Sequence, residues 1–311
     1  MPSRLLRFRS TAPVRTAFER GDPVVALESS VLAQGLLPPH NREAAERMTA
    51  AVLREGATPA ITAVSRGELV LGLDDVDLER FLARTGVRKV SARDLAITIS
   101  QHADGATTVA ATIALCVLAG IQVFATGGIG GVHRGTAFDE SADLVELSRS
   151  QVIVVCAGAK SILDLPATLE RLETLGVSVV GYGTRELPGF FSRTTGLSLD
   201  TSVNTPDEIA DAWRSHVALE RPGAMLVVQP PPAEFALDEE LVESATATAL
   251  ARAERENVRH SAVTPFLLAE VLRLTEGRSV QTNLALLDAN AALAARIAVR
   301  LSSDQNSRSG V

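Results

Sequence analysis

The chain has 311 residues, an apolar content of 46% and a formal net charge of −7. This length allows one large or two modest domains, with ample chain to bury a hydrophobic core. The acidic balance and an aromatic content of only 4% argue against a duplex-binding surface and against stacking platforms for single-stranded nucleic acid.

The two cysteines, Cys116 and Cys156, lie in apolar runs without CxxC spacing, and no apolar secretory segment begins the chain. This pattern predicts reduced thiols and a cytoplasmic protein. The longest apolar stretch, residues 107–119, is too short to span a bilayer, so no membrane partner is expected. Residues 1–20 are predicted to be a frayed basic extension and residues 302–311 a disordered polar tail.

Apolar runs and turn residues predict strands and helices in alternation. The predicted strands, in chain order, are residues 23–27, 61–64, 68–73, 94–99, 121–125, 152–155, 177–181 and 224–228. The predicted helices are residues 42–54, 74–85, 105–119, 141–148, 161–175, 206–220, 238–257, 265–275 and 279–301. A hairpin is expected over residues 61–73, and residues 190–204 form an irregular segment that we interpret as a lid over the site.

The predicted strands after Ile121 are continuously apolar, as strands buried on both faces are. Together with the alternation of strands and helices, this predicts an α/β protein with a three-layer α/β/α sandwich around a mostly parallel central sheet. The early hairpin makes that sheet mixed. Since no composition break divides the chain, we predict a single domain over residues 21–301.

Lys160 is the most informative position. It follows the apolar strand 152–155 and the small residues Ala157-Gly158-Ala159, and the carboxyl ends of strands are where open α/β sheets bind ligands. Of the 30 basic residues only Lys89 and Lys160 are lysines. An amine can lose its proton and attack carbon, whereas a guanidinium stays protonated. We therefore predict a nucleophilic role for Lys160; the alternative is chance retention of two lysines in an arginine-rich chain.

Two further charged groups are predicted near strand ends. Glu28 closes the strand 23–27, where it acts either as an acid or base or as a cap of the following turn. Lys89 is interpreted as a contact for phosphate or carboxylate, against the alternative of a solvated surface cation. The run Gly127-Gly128-Ile129-Gly130-Gly131 lacks the Lys-Ser/Thr of a phosphate-binding loop, so the glycines serve either close approach to a ligand or a tight turn.

Asp139 and Asp143 are spaced four residues apart, which places two carboxylates on one side of a helical turn. Oxygen ligands of this kind suit Mg²⁺ or Mn²⁺. The alternative is ordinary capping of the helix that follows. Taken together, an amine, a carboxylate, a candidate metal pair and anion sites fit Schiff-base chemistry on a phosphorylated sugar, but they do not identify the substrate.

Longer segments add a resemblance. The stretches ALESSVLAQGL, GATTVAATI, VFATGGIGGVHRG, CAGAKSILD and NLALLDAN resemble the pseudouridine-5′-phosphate glycosidases, a family that includes the indigoidine synthase A-like proteins. The resemblance extends over about residues 23–298. It implies an α/β/α fold and reversible cleavage of the C–C glycosidic bond of pseudouridine 5′-phosphate to uracil and ribose 5-phosphate. It also implies a Mn²⁺ requirement and a homotrimer.

The resemblance also implies roles for individual residues. Lys160 is the nucleophile that forms an imine with the ribose, Glu28 is the proton donor, and Asp139 is the metal ligand. The implied substrate contacts are Lys89, Val109, Ser141, Ala142, Asp143 and Asn283. Two positions depart from the family pattern, since Gln34 stands in place of a usual histidine and Glu140 in place of a usual apolar residue.

Two other functions remain open. One is a different Schiff-base lyase or aldolase acting on a pentose phosphate. The other is a sugar-kinase-like nucleotide-binding protein, suggested by the layered architecture and the glycine run.

Overall fold

A central sheet organises the protein, which we describe from a computed structural model over residues 8–135, 139–258 and 263–308. The strands are β1 (Phe8–Ser10), β2 (Val24–Glu28), β3 (Thr58–Ser65), β4 (Glu68–Leu71), β5 (Val87–Val90), β6 (Asp104–Thr107), β7 (Val123–Ala125), β8 (Val132–His133), β9 (Ile153–Cys156), β10 (Leu163–Asp164), β11 (Ser178–Tyr182), β12 (Ser202–Val203) and β13 (Met225–Val228). All belong to one sheet except β8 and β10, which pair with each other.

The sheet is mixed and mostly parallel, as predicted. Its order is β1-β4-β3-β2-β7-β9-β13-β11-β12, with β6 paired to β3 and β5 paired to β6. The antiparallel pairs of this sheet within the described residues are β3 with β4, the predicted hairpin, and β3 with β6. The register places Glu28 beside Thr62, Ala125 beside Val155 and Val228 beside Cys156. The carboxyl ends of β2, β7, β9 and β13 therefore meet at one edge of the sheet.

Helices cover both faces of the sheet. They are α1 (Ala12–Arg20), α2 (His40–Arg54), α3 (Asp75–Leu82), α4 (Leu95–Ser100), α5 (Val109–Ala119), α6 (Ala142–Arg149), α7 (Leu165–Thr174), α8 (Pro206–Ala218), α9 (Glu239–Arg255), α10 (Val263–Leu274) and α11 (Arg278–Arg308). Helix α11 packs against α2, α8, β2, β7 and β9, whereas α5 packs against β2, β3, β7 and α6. The predicted three layers are confirmed. Among the helices of the described ranges, none combines the length and the apolar character needed to cross a membrane.

Two sequence predictions fail around α4 and β6. Residues 94–99 were predicted to be a strand, but they form a 3₁₀ turn (Ala92–Asp94) and then α4. Leu95 and Thr98 are buried at helical spacing, and the Asp94 side chain accepts the Ser91 N–H. Residues 105–108 are predicted to open a helix, but residues 104–107 form β6, and α5 begins only after the cap residue Thr108.

The helix after Lys160 begins later than predicted. Helix α7 starts at Leu165 because Asp164 Oδ1 accepts the Ala167 N–H at 2.9 Å, and because Pro166 is tolerated only in the first turn. Residues 161 and 162 instead form a turn, closed by the Leu163 N–H donating to Lys160 O at 3.0 Å, and β10 follows it. This leaves Lys160 on backbone that the neighbouring loops hold, instead of on a helix.

Both chain ends are more ordered than the sequence predicted. Strand β1 pairs with β4, α1 buries Val14 and Ala17, and Arg9 forms ion pairs with acidic groups of the sheet and α3. The prediction of a frayed extension is therefore wrong for residues 8–20. Helix α11 continues to Arg308, with the Ser302 hydroxyl donating to the Gly21 carbonyl, so the predicted tail is helical through residue 308. Residues 1–7 and 309–311 lie outside the described residues, and the single-domain assignment stays a prediction.

Candidate active site

A cavity of about 510 Å³ lies at the carboxyl ends of the central strands. It brings together side chains from segments far apart in sequence. Eight of the nine predicted site residues line it: Glu28, Lys89, Val109, Ser141, Ala142, Asp143, Lys160 and Asn283. Both lysines of the chain therefore face the same cavity, although 71 positions separate them. Asp139 lies outside this lining.

The backbone that carries Lys160 runs beside the glycine loop, residues 127–131. Ile129 N–H donates to Gly158 O at 3.1 Å, and Lys160 N–H donates to Ile129 O at 3.1 Å. Gly158 has φ +85°, and a Cβ there would lie 2.4 Å from Pro188 O. Only glycine fits this position, because a side chain would meet both an unfavourable backbone conformation and a fixed carbonyl. The local fold thus fixes the chain that presents Lys160.

The glycine loop is shaped by packing against its neighbours. A Cβ at Gly128 would lie 2.6 Å from the Phe190 ring, and one at Gly131 would lie 2.4 Å from Thr168 Oγ1. Phe190 is itself buried, and its N–H donates to Ala157 O at 3.2 Å. Phe190 therefore belongs to the wall of the site. The interpretation of residues 190–204 as a lid is wrong for the first residue of that segment.

Glu28 ends β2 and is buried. The Ser30 hydroxyl donates to Glu28 Oε2 at 2.5 Å, and the Thr126 hydroxyl donates to Oε1. The two hydroxyls therefore hold both carboxylate oxygens of Glu28 in place. The alternative of a capping glutamate is wrong, since the carboxylate is bound by these two hydroxyls. Thr126 was missed by the sequence analysis, although it directly follows the apolar strand β7.

Lys89 lies at the end of β5 with its side chain directed into the cavity. Surrounding protein removes water from the ammonium, and this desolvation lowers its pKa below the ordinary 10.5. The charge of Lys160 lowers the pKa further, while Asp143 and Glu28 act in the opposite direction. The exposed part of the Lys89 side chain faces the cavity. The four groups interact electrostatically within one site.

Asp143 holds two parts of the site together. Its Oδ1 accepts the Ala110 N–H at 2.9 Å, and its Oδ2 accepts the Gly130 N–H at 2.8 Å. This links the first turn of α5 to the glycine loop. The predicted same-side carboxylate pair is wrong, because Asp139 precedes α6 and lies 3.3 Å from His133 Nδ1, whereas Asp143 points at these two amides.

The described residues contain no group of three or more His, Cys, Asp or Glu side chains arranged to hold a metal ion. The Asp139 side chain is 58% exposed and adjoins Glu140, which lines the cavity. One carboxylate at a wet rim fits a divalent ion that keeps most of its waters and binds a substrate phosphate. Glu140 itself pairs with Arg171 at 3.0 Å.

One end of the cavity suits an anion. The cap residues and first turns of α5 and α6 converge there, with Thr108, Val109, Ser141 and Ala142 in the lining. Helix amino ends present unpaired N–H groups and a partial positive charge. Lys89 lines the same cavity, which therefore combines backbone donors with an amine.

Helix α11 contributes amides to the opposite wall. Asn283 lines the cavity beside Gly127, and its Oδ1 is buried without a hydrogen-bond partner in the described part of the chain. Two turns later, Asn290 Nδ2 donates to Thr126 O at 2.8 Å and so fixes the loop after β7. Gln34 also lines the cavity, and its Nε2 donates to Val87 O at 3.2 Å. Asn290 was missed because its partners are distant in sequence.

The cysteines take no part in this site. Cys116 and Cys156 are unpaired and buried, as the sequence predicted. Burial raises the pKa of both thiols, that of Cys156 to about 12. Neither is therefore a reactive thiolate.

Fold and site together define an α/β enzyme whose cavity pairs an amine with a carboxylate beside an anion-binding end. The chain belongs to the indigoidine synthase A-like family, whose model matches residues 13–300. The pseudouridine-5′-phosphate glycosidase of Gemmatimonas aurantiaca is 67% identical over 301 residues, which cover 97% of this chain and 98% of that protein. The enzyme of the same name from Herpetosiphon aurantiacus is 54% identical over 93% of this chain and 96% of its own length.

Solved structures have the same fold. The crystal structure of the prealnumycin C-glycosynthase AlnA in complex with ribulose 5-phosphate has a TM-score of 0.90 and 38% identity, covering 98% of this chain and all of that one. An indigoidine synthase A-like protein from Thermotoga maritima has a TM-score of 0.88 and 35% identity, covering 96% of this chain and 97% of its own.

Proposed function

We propose that this protein cleaves the C–C glycosidic bond of pseudouridine 5′-phosphate reversibly, giving uracil and ribose 5-phosphate. The observation that carries the proposal is the convergence of Lys160 and Glu28 on one cavity with an anion-binding end. The proposal is supported by relatives named pseudouridine-5′-phosphate glycosidase, which are up to 67% identical over nearly the full chain. The ribulose 5-phosphate bound to AlnA is a pentose phosphate, which is the same substrate class.

The proposed chemistry explains the need for an amine. A C–C glycosidic bond has no leaving oxygen to protonate, so hydrolysis by two carboxylates is poorly suited. Attack of the neutral Lys160 amine on C1′ breaks the C1′–O4′ bond, whose electrons and a proton form the 4′-hydroxyl. The nitrogen lone pair then forms a C=N bond as the C1′–C5 bond breaks. The electron pair of the broken C1′–C5 bond stays on the uracil carbon, which takes a proton from Glu28. Water then hydrolyses the imine and releases ribose 5-phosphate.

The remaining predicted contacts fit this substrate. Lys89 and the amino ends of α5 and α6, at Val109 and at Ser141 with Ala142, are proposed to bind the phosphate. Asp143 positions these donors through Ala110 and Gly130, and its direct contact with substrate stays a prediction. Asn283 offers its buried Oδ1 to an N–H of the base.

We propose Mn²⁺ as the cofactor, with Asp139 as its protein ligand. When bound, the ion would offset phosphate charge. The exposed carboxylate beside the cavity supports this role, with water and the substrate supplying the other ligands.

We also propose a homotrimer in the cytoplasm. Helix α5 contains no charged residue, yet Val117 and Leu118 remain 51% and 53% exposed. Such apolar surface supports burial against another copy of the chain. Sedimentation of a Leu118→Glu variant tests this assignment, since a monomer is expected.

Trapping of the adduct tests the central proposal. The protein is incubated with ribose 5-phosphate, reduced with borohydride, digested and analysed by mass spectrometry. We expect the pentose phosphate on Lys160, and because the chain has only one other lysine, Lys89, the assignment is direct. Lys160→Arg should melt at an unchanged temperature but form no adduct and cleave no substrate. An adduct confined to Lys89, or turnover by Lys160→Arg, would contradict the proposal.

A further inference from the structure

The mouth of the cavity carries a cation that the proposed chemistry has not used. Arg93 lies in the 3₁₀ turn Ala92–Asp94, four positions after Lys89, and lines the same cavity. Its side chain is 84% exposed. The nearest acidic group is Asp94 Oδ1, 3.6 Å from Arg93 Nε, which is beyond hydrogen-bond distance. No hydrogen bond of this guanidinium occurs within the described residues.

The turn beneath Arg93 is well fixed. Asp94 Oδ2 accepts the Ser91 N–H at 3.0 Å, and the Asp94 N–H donates to Ser91 O at 2.9 Å. Ser91 also lines the cavity, and its Oγ is buried without a partner in the part of the chain that the structure describes. The turn therefore places two groups without a hydrogen-bond partner among the described residues next to Lys89, the Ser91 hydroxyl and the Arg93 guanidinium.

Among the described residues, Arg93 is the arginine that lines this cavity. Arg80, Arg134 and Arg171, for example, form ion pairs at 2.6–3.1 Å that join separate elements of the fold. Arg93 has no such structural task. Its guanidinium fork matches two oxygens of a phosphate.

We propose that Arg93 closes over the cavity mouth and binds the phosphate of the substrate, and so makes the enzyme selective for phosphorylated nucleosides. This inference rests on the proposed function for the identity of the substrate. A phosphate monoester carries nearly two negative charges at neutral pH, more than Lys89 alone balances. The helix amino ends and Lys89 bind the phosphate from within the cavity, while Arg93 reaches it from the solvent side.

The test compares Arg93→Met with Arg88→Met as a matched control. Arg88 neighbours Lys89 on β5, but it points away from the cavity and donates to Gln101. We expect Arg93→Met to raise the KM for pseudouridine 5′-phosphate about 10- to 100-fold, with kcat changed less than about threefold. The kcat/KM for unphosphorylated pseudouridine, measured at high enzyme concentration, should be the same in Arg93→Met and the wild type. Arg93→Lys should restore part of the loss, and Arg88→Met should match the wild type.

Calorimetric titration with ribose 5-phosphate and with inorganic phosphate separates this inference from the proposed function. Weaker binding of both by Arg93→Met, with an unchanged melting temperature, supports a phosphate contact even if the wild type cleaves no pseudouridine 5′-phosphate. Equal binding by the wild type and Arg93→Met, or an equal rise in KM for phosphorylated and unphosphorylated nucleoside, would overturn the inference.

Discussion

Asp143→Ala tests whether one buried carboxylate holds the site together. Asp143 is 6% exposed and accepts two backbone N–H groups, from Ala110 and Gly130. Alanine would leave both amides unpaired in a space from which water is largely excluded. Each lost charge-assisted bond costs about 1.5 kcal/mol, so the free energy of unfolding should fall by about 3 kcal/mol. At roughly 2–3 °C per kcal/mol for a protein of this size, the melting temperature should fall by about 6–9 °C.

The assay is thermal unfolding followed by circular dichroism, with Asp211→Ala as the control. Asp211 is exposed on α8 and pairs with Arg214 three residues away, so its loss should change the melting temperature by less than about 1 °C. Because the glycine loop and α5 frame the phosphate end, kcat/KM should fall as well in Asp143→Ala. A melting temperature within about 2 °C of the wild type would refute the structural role assigned to these two hydrogen bonds.

Three further variants address other parts of the site. The proposed phosphate contact of Lys89 requires its protonated ammonium, and the pKa of Lys89 lies below the ordinary 10.5, so KM should rise as pH increases through that lowered pKa. In Lys89→Arg this rise should vanish, and a persistent rise would contradict the assignment. Gly131→Ala should lose about 1–3 kcal/mol of stability, because its Cβ would meet Thr168 Oγ1 at 2.4 Å; an unchanged denaturation midpoint would show that Thr168 moves freely. Asp139→Ala should weaken Mn²⁺ binding at least tenfold, as measured by calorimetry. Equal Mn²⁺ affinity in the variant and the wild type would show that Asp139 is not the ligand.

Local sequence signals predicted most of the elements. The predicted starts of α3 and α8 are confirmed: Asp74 caps α3 by accepting the Asp77 N–H, and Thr205 with Glu208 forms a capping box on α8. The hairpin of β3 and β4 follows from a short turn between two apolar runs. In each case the stabilising contacts lie within a few residues, so the sequence contains them directly.

The failures arise where distant parts of the chain decide the structure. Strand β6 contains Gly105 and Ala106, small residues that resemble a helix start. A Cβ at Gly105 would lie 2.5 Å from Val90 Cγ2, so the tight approach of β5 requires glycine there. The sequence likewise placed Asp143 with Asp139, because spacing alone cannot show the amides of Ala110 and Gly130 that bind it.

The placement of the two lysines bears on why they are there. Had chance retained them in an arginine-rich chain, nothing would bring residues 89 and 160 to the same cavity, yet both line it. Permanent positive charge is supplied by arginine, within the fold at Arg80 and at the cavity mouth at Arg93. The two amines line the cavity, where desolvation and the charge of Lys160 lower the pKa of Lys89. An imine-forming enzyme needs an amine that can lose its proton, and a guanidinium cannot supply one. Chance retention therefore gives no account of where the two lysines lie, whereas the proposed nucleophile at Lys160 and the proposed phosphate contact at Lys89 account for both positions.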